Sequence, residues 1–239
     1  MNPYTRFAPG SELESRHQGL QERLSENGIP AALILQKADL FYYTGTTQAG
    51  WLFVPAQGIP LFMVFKDMDR ARAESGMEQV IPLLSPKKIP DTLKGLGYHV
   101  PGILGLEMDV LPASQFLMFQ DIFKGPVIKD ISSLIRLQRA VKSEFEIHCI
   151  KESSALADRV AQKAAQIIRP GMTEIELASR LEAHARQLGH QGLVPMRIWN
   201  NDLFYGHIMT GAGAAVPGSF ASPTGGKGVN PSIAQGPSF

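Results

Sequence analysis

The sequence predicts an α/β domain over residues 1–140 and a second, incomplete part over residues 141–239. Three observations carry this. Short apolar runs alternate with helical patterns as far as Ser143, the mark of a mixed sheet covered by helices. Two helices with clear start and stop signals come next. From Gly211 onward the chain is rich in Gly, Pro and Ser and reaches Phe239 with no closing helix or strand pattern.

Taken in order, Ser11 and Glu14 have capping-box spacing, and Leu13, Leu20 and Leu24 follow on one helical stripe that Asn27-Gly28 ends. Ala31 to Leu35 reads as a buried strand. Trp51–Val54 and Leu61–Phe65 read as two more, joined by a turn from Pro55 to Pro60. A polar helix from Asp67 to Gly76, a strand at Val80–Leu84 and a helix at Ile89–Leu96 stopped by Gly97 follow. Ile103–Met108 is a strand, Ala113–Phe123 a helix with an apolar face and Val127–Ile131 a strand. In the second part Ser143 and Glu146 cap a helix reaching Ile168, which Pro170-Gly171 stops. Thr173 and Glu176 cap another, running to Gly189. Strands are expected at Val194–Trp199 and Leu203–Met209. The glycine-rich stretch after them is the kind of long loop that is usually functional or disordered.

Composition excludes several function classes. Lys plus Arg is 23 against 22 Asp plus Glu, a net charge of +1, which argues against a nucleic-acid partner. No apolar run approaches the ~18 residues of a membrane span, so no membrane partner is expected. Cys149 is the single cysteine, so no internal disulfide can form, and a cytoplasmic setting is the expectation.

Few residues carry chemistry on their own. None of the six histidines pairs at the i, i+4 spacing of a helical zinc site. His207 stands apart, on an apolar segment just before the glycine-rich loop, where sites often form. After Glu182 the only acidic residue is Asp202, too few for a two-metal hydrolytic site, so no metal ligands are assigned within residues 1–239. Gly226-Lys227 fails as a phosphate loop, because Gly228 replaces the required Ser or Thr and Ala221 the required glycine. Gly211-Ala212-Gly213 fails as a dinucleotide fingerprint, since Val216 stands at the third glycine. Cys149 reads as a helix residue that packs.

Two stretches resemble the creatinase and aminopeptidase P family (Xaa-Pro peptidases, prolidases, methionine aminopeptidases). One is Lys142-Ser143 with Glu146-Ile147, then Arg169-Pro170-Gly171-Met172-Thr173-Glu174 and the helix with Glu182 and Gly189. The other is Ala38-Asp39-Leu40-Phe41-Tyr42-Tyr43-Thr44-Gly45. The resemblance implies a creatinase-type α/β N-terminal domain followed by the first part of an α+β pita-bread catalytic domain. It implies hydrolysis of the peptide bond before proline by two divalent metals (Mn, Co or Zn), held in a full-length homologue by two aspartates, a histidine and two glutamates. All of these would follow the end of this chain, so residues 1–239 are expected to be a truncated, inactive portion that binds no cofactor. The family's Gly-x-Asn-x-Ala-x-Pro-His segment corresponds to Gly211–Gly218, which puts Gly218 at the histidine and leaves His207, eleven residues upstream, as the candidate catalytic side chain. The resemblance also implies a peptide substrate and a homodimer. Two alternatives stand beside this reading: a non-catalytic binding module on the peptidase fold, and a creatinase-like hydrolase of a small guanidino compound.

Overall fold

A computed structural model describes residues 7–193, 196–197, 207–217, 225–231 and 235–239. The chain divides into two units, Met1–Phe145 with Met196–Asn201, and Glu146–Pro195 with Asp202–Phe239.

Unit 1 is a six-stranded mixed sheet between two helical layers. Its strands are β1 (Ala31–Ile34), β2 (Gly50–Pro55), β3 (Leu61–Val64), β4 (Val80–Pro82), β5 (Ile103–Leu106) and β6 (Val127–Asp130), in the spatial order β4-β3-β2-β1-β5-β6. The turn at residues 56–60 makes β2 and β3 an antiparallel hairpin, and β2 also runs antiparallel to β1. Parallel pairing joins β3 to β4, β1 to β5 and β5 to β6.

Every residue of β1 and β3 is buried, as the covering of both sheet faces requires. The two-residue period of a strand then sorts side chains between two cores. Ala32, Ile34, Leu52, Val54, Phe62 and Val64 pack on one face with Leu20 and Leu24 of α1 (Gly10–Glu26), Tyr43 of α2 (Lys37–Thr44), Ala71 of α3 (Met68–Glu74) and Ile135 of α6 (Ser132–Ala140). Leu33, Phe53, Leu61, Met63, Leu104 and Leu106 pack on the other with Ile89 and Leu93 of α4 (Ile89–Gly95) and Phe119 and Phe123 of α5 (Ala113–Phe123). Burying a side chain such as Leu33 or Phe53 stabilises the unit by roughly 1.5–3 kcal/mol.

A buried polar seam joins α1, α2 and α6. His17 Nε2–H donates to Tyr43 O at 2.8 Å, and the Tyr43 hydroxyl donates to Gln138 Oε1 at 2.8 Å. Gln138 Nε2 in turn donates to Arg16 O at 2.6 Å, and Arg16 Nη1 to Tyr42 O at 2.6 Å. Each polar atom in this chain of bonds has a partner, so the seam adds specificity without unpaired buried groups.

Several local expectations change. The first helix starts at Gly10 after Pro9, so Ser11 lies inside its first turn and caps nothing, while Glu12 accepts from Arg16 Nε at 2.8 Å. Helices α2 and α6 are additional to the elements expected from the sequence. In unit 2, α7 (Glu144–Ile167) and α8 (Glu174–Gln187) form as the sequence predicts, and Thr173 caps α8 by accepting from Glu176 N at 3.2 Å. Leu177, Ala178, Leu181 and Ala185 make the buried stripe of α8. The strands expected at Val194–Trp199 and Leu203–Met209 fall largely outside the described residues, and His207–Met209 has no strand assignment. A short helix, α9 (Gly211–Ala214), opens the glycine-rich region.

Candidate functional site

In unit 2 the polar groups gather where the glycine-rich region meets the start of α8. Glu174, the first residue of α8, accepts from Thr210 N at 2.6 Å, Ser238 N at 2.9 Å and Ser238 Oγ at 3.1 Å. Ser238 O accepts from Ile175 N at 3.1 Å, so Ser238 is bonded to two successive residues of α8. Burial works to raise the Glu174 carboxyl, but these donors prevail and hold it below the usual carboxylate range.

The glycines here serve close backbone approach. Gly226 N donates to Val216 O at 3.0 Å and Gly236 N to Gly225 O at 2.9 Å, beside an isolated bridge between Pro217 and Gly225. A Cβ on Gly225 would strike Val216 O, and one on Gly226 would strike Gly236 O. Only glycine permits three backbone segments to pass this close. His207 is exposed, three residues before Thr210, and the family-histidine position, Gly218, lies outside the described residues.

Replacing Glu174 with Ala removes an ionised acceptor from three donors, worth about 1.5–3 kcal/mol per hydrogen bond to a charged group. Amide exchange at Thr210 and Ser238 is expected to accelerate by roughly tenfold or more. Unchanged exchange at both amides would show that Glu174 does not organise this region.

In unit 1 a charged cluster lies at the carboxyl ends of the adjacent parallel strands β1 and β5. Asp39, on α2, is fully buried. Its Oδ1 pairs with Arg139 of α6, and its Oδ2 accepts from Arg197 Nε at 2.7 Å. Arg197 Nη1 also donates to Asp109 Oδ2 at 2.6 Å. Burial raises Asp109, but the hydrogen bonds from Arg197 and Ser132 and the charges of Arg197 and Arg136 together outweigh it, and the carboxyl lies below its usual range. Glu107, the residue after β5, is fully buried, and its Oε2 accepts from Leu35 N at 2.7 Å and Gln36 N at 3.0 Å. The Gln36 side chain caps α2, accepting from Ala38 N at 2.6 Å and Asp39 N at 3.0 Å. Sequence reading quoted Asp39 in the resemblance but gave it no role, and it missed Glu107, Arg139 and Arg197. The available signal was an acid directly after an apolar strand, Leu106-Glu107.

Among the described residues, no group of three or more His, Cys, Asp or Glu side chains could hold a metal ion. The residues described therefore do not fit a two-metal centre. Among them, too, no helix is long and apolar enough to cross a membrane.

A mixed α/β sheet domain followed by a helix pair and a glycine-rich region is the order of elements expected of the creatinase/prolidase class of protein. The chain belongs to this family: residues 16–141 match the creatinase/prolidase N-terminal domain and residues 148–232 match metallopeptidase family M24. It is 28% identical over 168 residues to a Xaa-Pro dipeptidase of Pyrococcus horikoshii, covering 67% of this chain and 44% of that protein. An X-Pro aminopeptidase structure from Thermotoga maritima aligns with a TM-score of 0.62 and 26% identity over 72% of this chain and 50% of that one. A Xaa-Pro dipeptidase structure from Bacillus anthracis shares the fold with a TM-score of 0.67 at 23% identity, over 75% and 50%. The chain spans about half the length of the curated relatives it matches. The fold implied by the resemblance holds: a creatinase-type N-terminal domain and part of the peptidase domain.

Proposed function

We propose that this polypeptide is the N-terminal domain, residues 1–140, and the opening of the catalytic domain, residues 141–239, of a Xaa-Pro-type metallopeptidase that hydrolyses the bond before proline. The observation that carries the reading is the tandem order of two matches, the prolidase N-terminal domain followed by family M24, in a chain similar to proteins named Xaa-Pro dipeptidase and X-Pro aminopeptidase. The substrate is a peptide with proline after the scissile bond. The metals, Mn, Co or Zn, supply Lewis acidity in the complete enzyme, and none of the described residues is assigned to them.

In this reading unit 2 contributes scaffold. Glu174 fixes Thr210 and Ser238, so both ends of the glycine-rich region are held to α8. His207 is the proposed proton-handling side chain, on the strength of its exposure and its place ahead of that region. The enzyme would be a cytoplasmic homodimer, and residues 1–239 alone would be inactive.

The first test is the coding frame beyond residue 239. Two aspartates, a histidine and two glutamates in that order are expected, and a polypeptide extended to include them should cleave a Xaa-Pro dipeptide when supplied with Mn, Co or Zn. Residues 1–239 under the same conditions should release no product. An immediate stop codon, or an extended form that neither binds metal nor cleaves, would replace this reading with the binding module. Turnover unchanged in His207→Ala would remove His207 from the mechanism.

A further inference from the structure

We propose that Glu107 and Asp39 share one proton and form a pH-sensitive lock: Glu107 stays a neutral carboxylic acid and donates to Asp39, which that bond holds in place as acceptor for Arg139 and Arg197.

The geometry argues this in three steps. Glu107 is sealed from solvent, and both backbone donors within reach, Leu35 N and Gln36 N, go to Oε2. Its other oxygen, Oε1, is buried with no donor to accept from among the described residues, and the Glu107 carboxyl lies within hydrogen-bonding reach of the Asp39 carboxyl. A buried carboxylate oxygen without a donor is costly, and a proton on it converts the clash of two acceptors into a hydrogen bond.

The charges surrounding the pair decide which group holds the proton. Asp39 and Tyr43 face it from α2, Arg139 from α6, Arg197 from its own segment, and Asp109 lies beyond Arg197. Arg139 and Arg197 balance ionised Asp39 and Asp109 at the buried centre of the cluster, and Arg136, 4.0 Å from Asp109, is largely exposed to water. An ionised Glu107 would add an uncompensated charge at a fully buried position. Asp39 takes both guanidinium groups and Glu107 takes none, so the proton belongs on Glu107. Burial first, then the hydrogen bond and charge of Asp39, raise the Glu107 carboxyl well above its usual range, against the two backbone donors.

The consequence is a stability that declines with rising pH. A carboxyl whose folded pKa is raised contributes fully below its unfolded value, roughly 4.3, and its contribution is lost as pH climbs towards the folded value. Glu107→Gln keeps an acceptor for Leu35 N and Gln36 N, keeps a donor for Asp39 and cannot ionise. Its folding constant relative to the unsubstituted chain is therefore expected to rise about tenfold per pH unit between pH 5 and 7. Infrared difference spectra should show a protonated-carboxyl C=O band at pH 7 that is absent in Glu107→Gln. A ratio flat from pH 5 to 8, or the absence of that band from the unsubstituted chain, would overturn the proposal. Neither readout depends on peptidase activity, so failure here is distinct from failure of the functional reading.

Discussion

Replacing Asp39 with Ala is expected to destabilise unit 1 by about 3 kcal/mol, the lower end of the cost of breaking a buried ion pair. The substitution strips Arg139 and Arg197 of a shared carboxylate and leaves Glu107 without its neighbour. Arg139 is 30% exposed and recovers some hydration, which keeps the cost from the upper end. Among the described residues, Arg197, at 12%, keeps only Asp109, and its Nη2 is already buried without a hydrogen-bond partner. Urea denaturation at pH 7 should show the transition midpoint fall with little change in slope. Asp39→Asn, which keeps two oxygen-sized groups but loses the charge, should fall between the two. A midpoint within error of the unsubstituted chain in Asp39→Ala would mean that solvent, not Asp39, satisfies the arginines.

Acid should weaken the same unit through His17. This imidazole is 6% exposed, beneath Tyr43 O, and burial above all lowers its pKa to about 4. The bond to Tyr43 O resists the shift, and the neighbouring Arg16 charge adds to it. The unfolded chain takes up the proton first, near pH 6.5. Stability is therefore complete above that pH, falls as pH drops and levels off below about 4. At pH 5 the loss attributable to His17 is roughly 2 kcal/mol. His17→Gln retains a donor for Tyr43 O and cannot be protonated there. Between pH 8 and 5 the unsubstituted chain should lose about 2 kcal/mol more than this variant, measured by urea denaturation. Parallel losses would exclude His17 as the acid-sensitive group.

The fold was legible where its causes are local. Ala31–Ile34 and Leu61–Val64 are unbroken apolar runs because both faces of the sheet are covered, and Pro55 to Pro60 announces the hairpin between β2 and β3. Helix α8 carries its cap in the sequence as Thr173 and Glu176. Helix α2 was not legible, because Leu40, Tyr42, Tyr43 and Thr44 are all buried and no polar face sets a helical period. Its cap is Gln36, a residue outside the usual Ser, Thr, Asp and Asn set. Helix α6 starts after Ile131 with no side-chain cap at all. The charged cluster was hidden for a different reason. Asp39, Glu107, Arg139 and Arg197 come from four separate stretches of sequence, and only the parallel pairing of β1 with β5 brings Glu107 to Leu35 and Gln36. No spacing rule connects residues that topology alone assembles.

The outermost strands bear on a different property, resistance to uncontrolled self-association. A sheet that ends in open backbone can add strands from other copies without limit. Here one margin is β4, three residues long and closed by Pro82, which has no N–H to offer an incoming strand. The other is β6, where Lys129 and Asp130 stand exposed and an added strand would have to strip water from both charges. Both margins of the sheet therefore disfavour the addition of a strand from another copy.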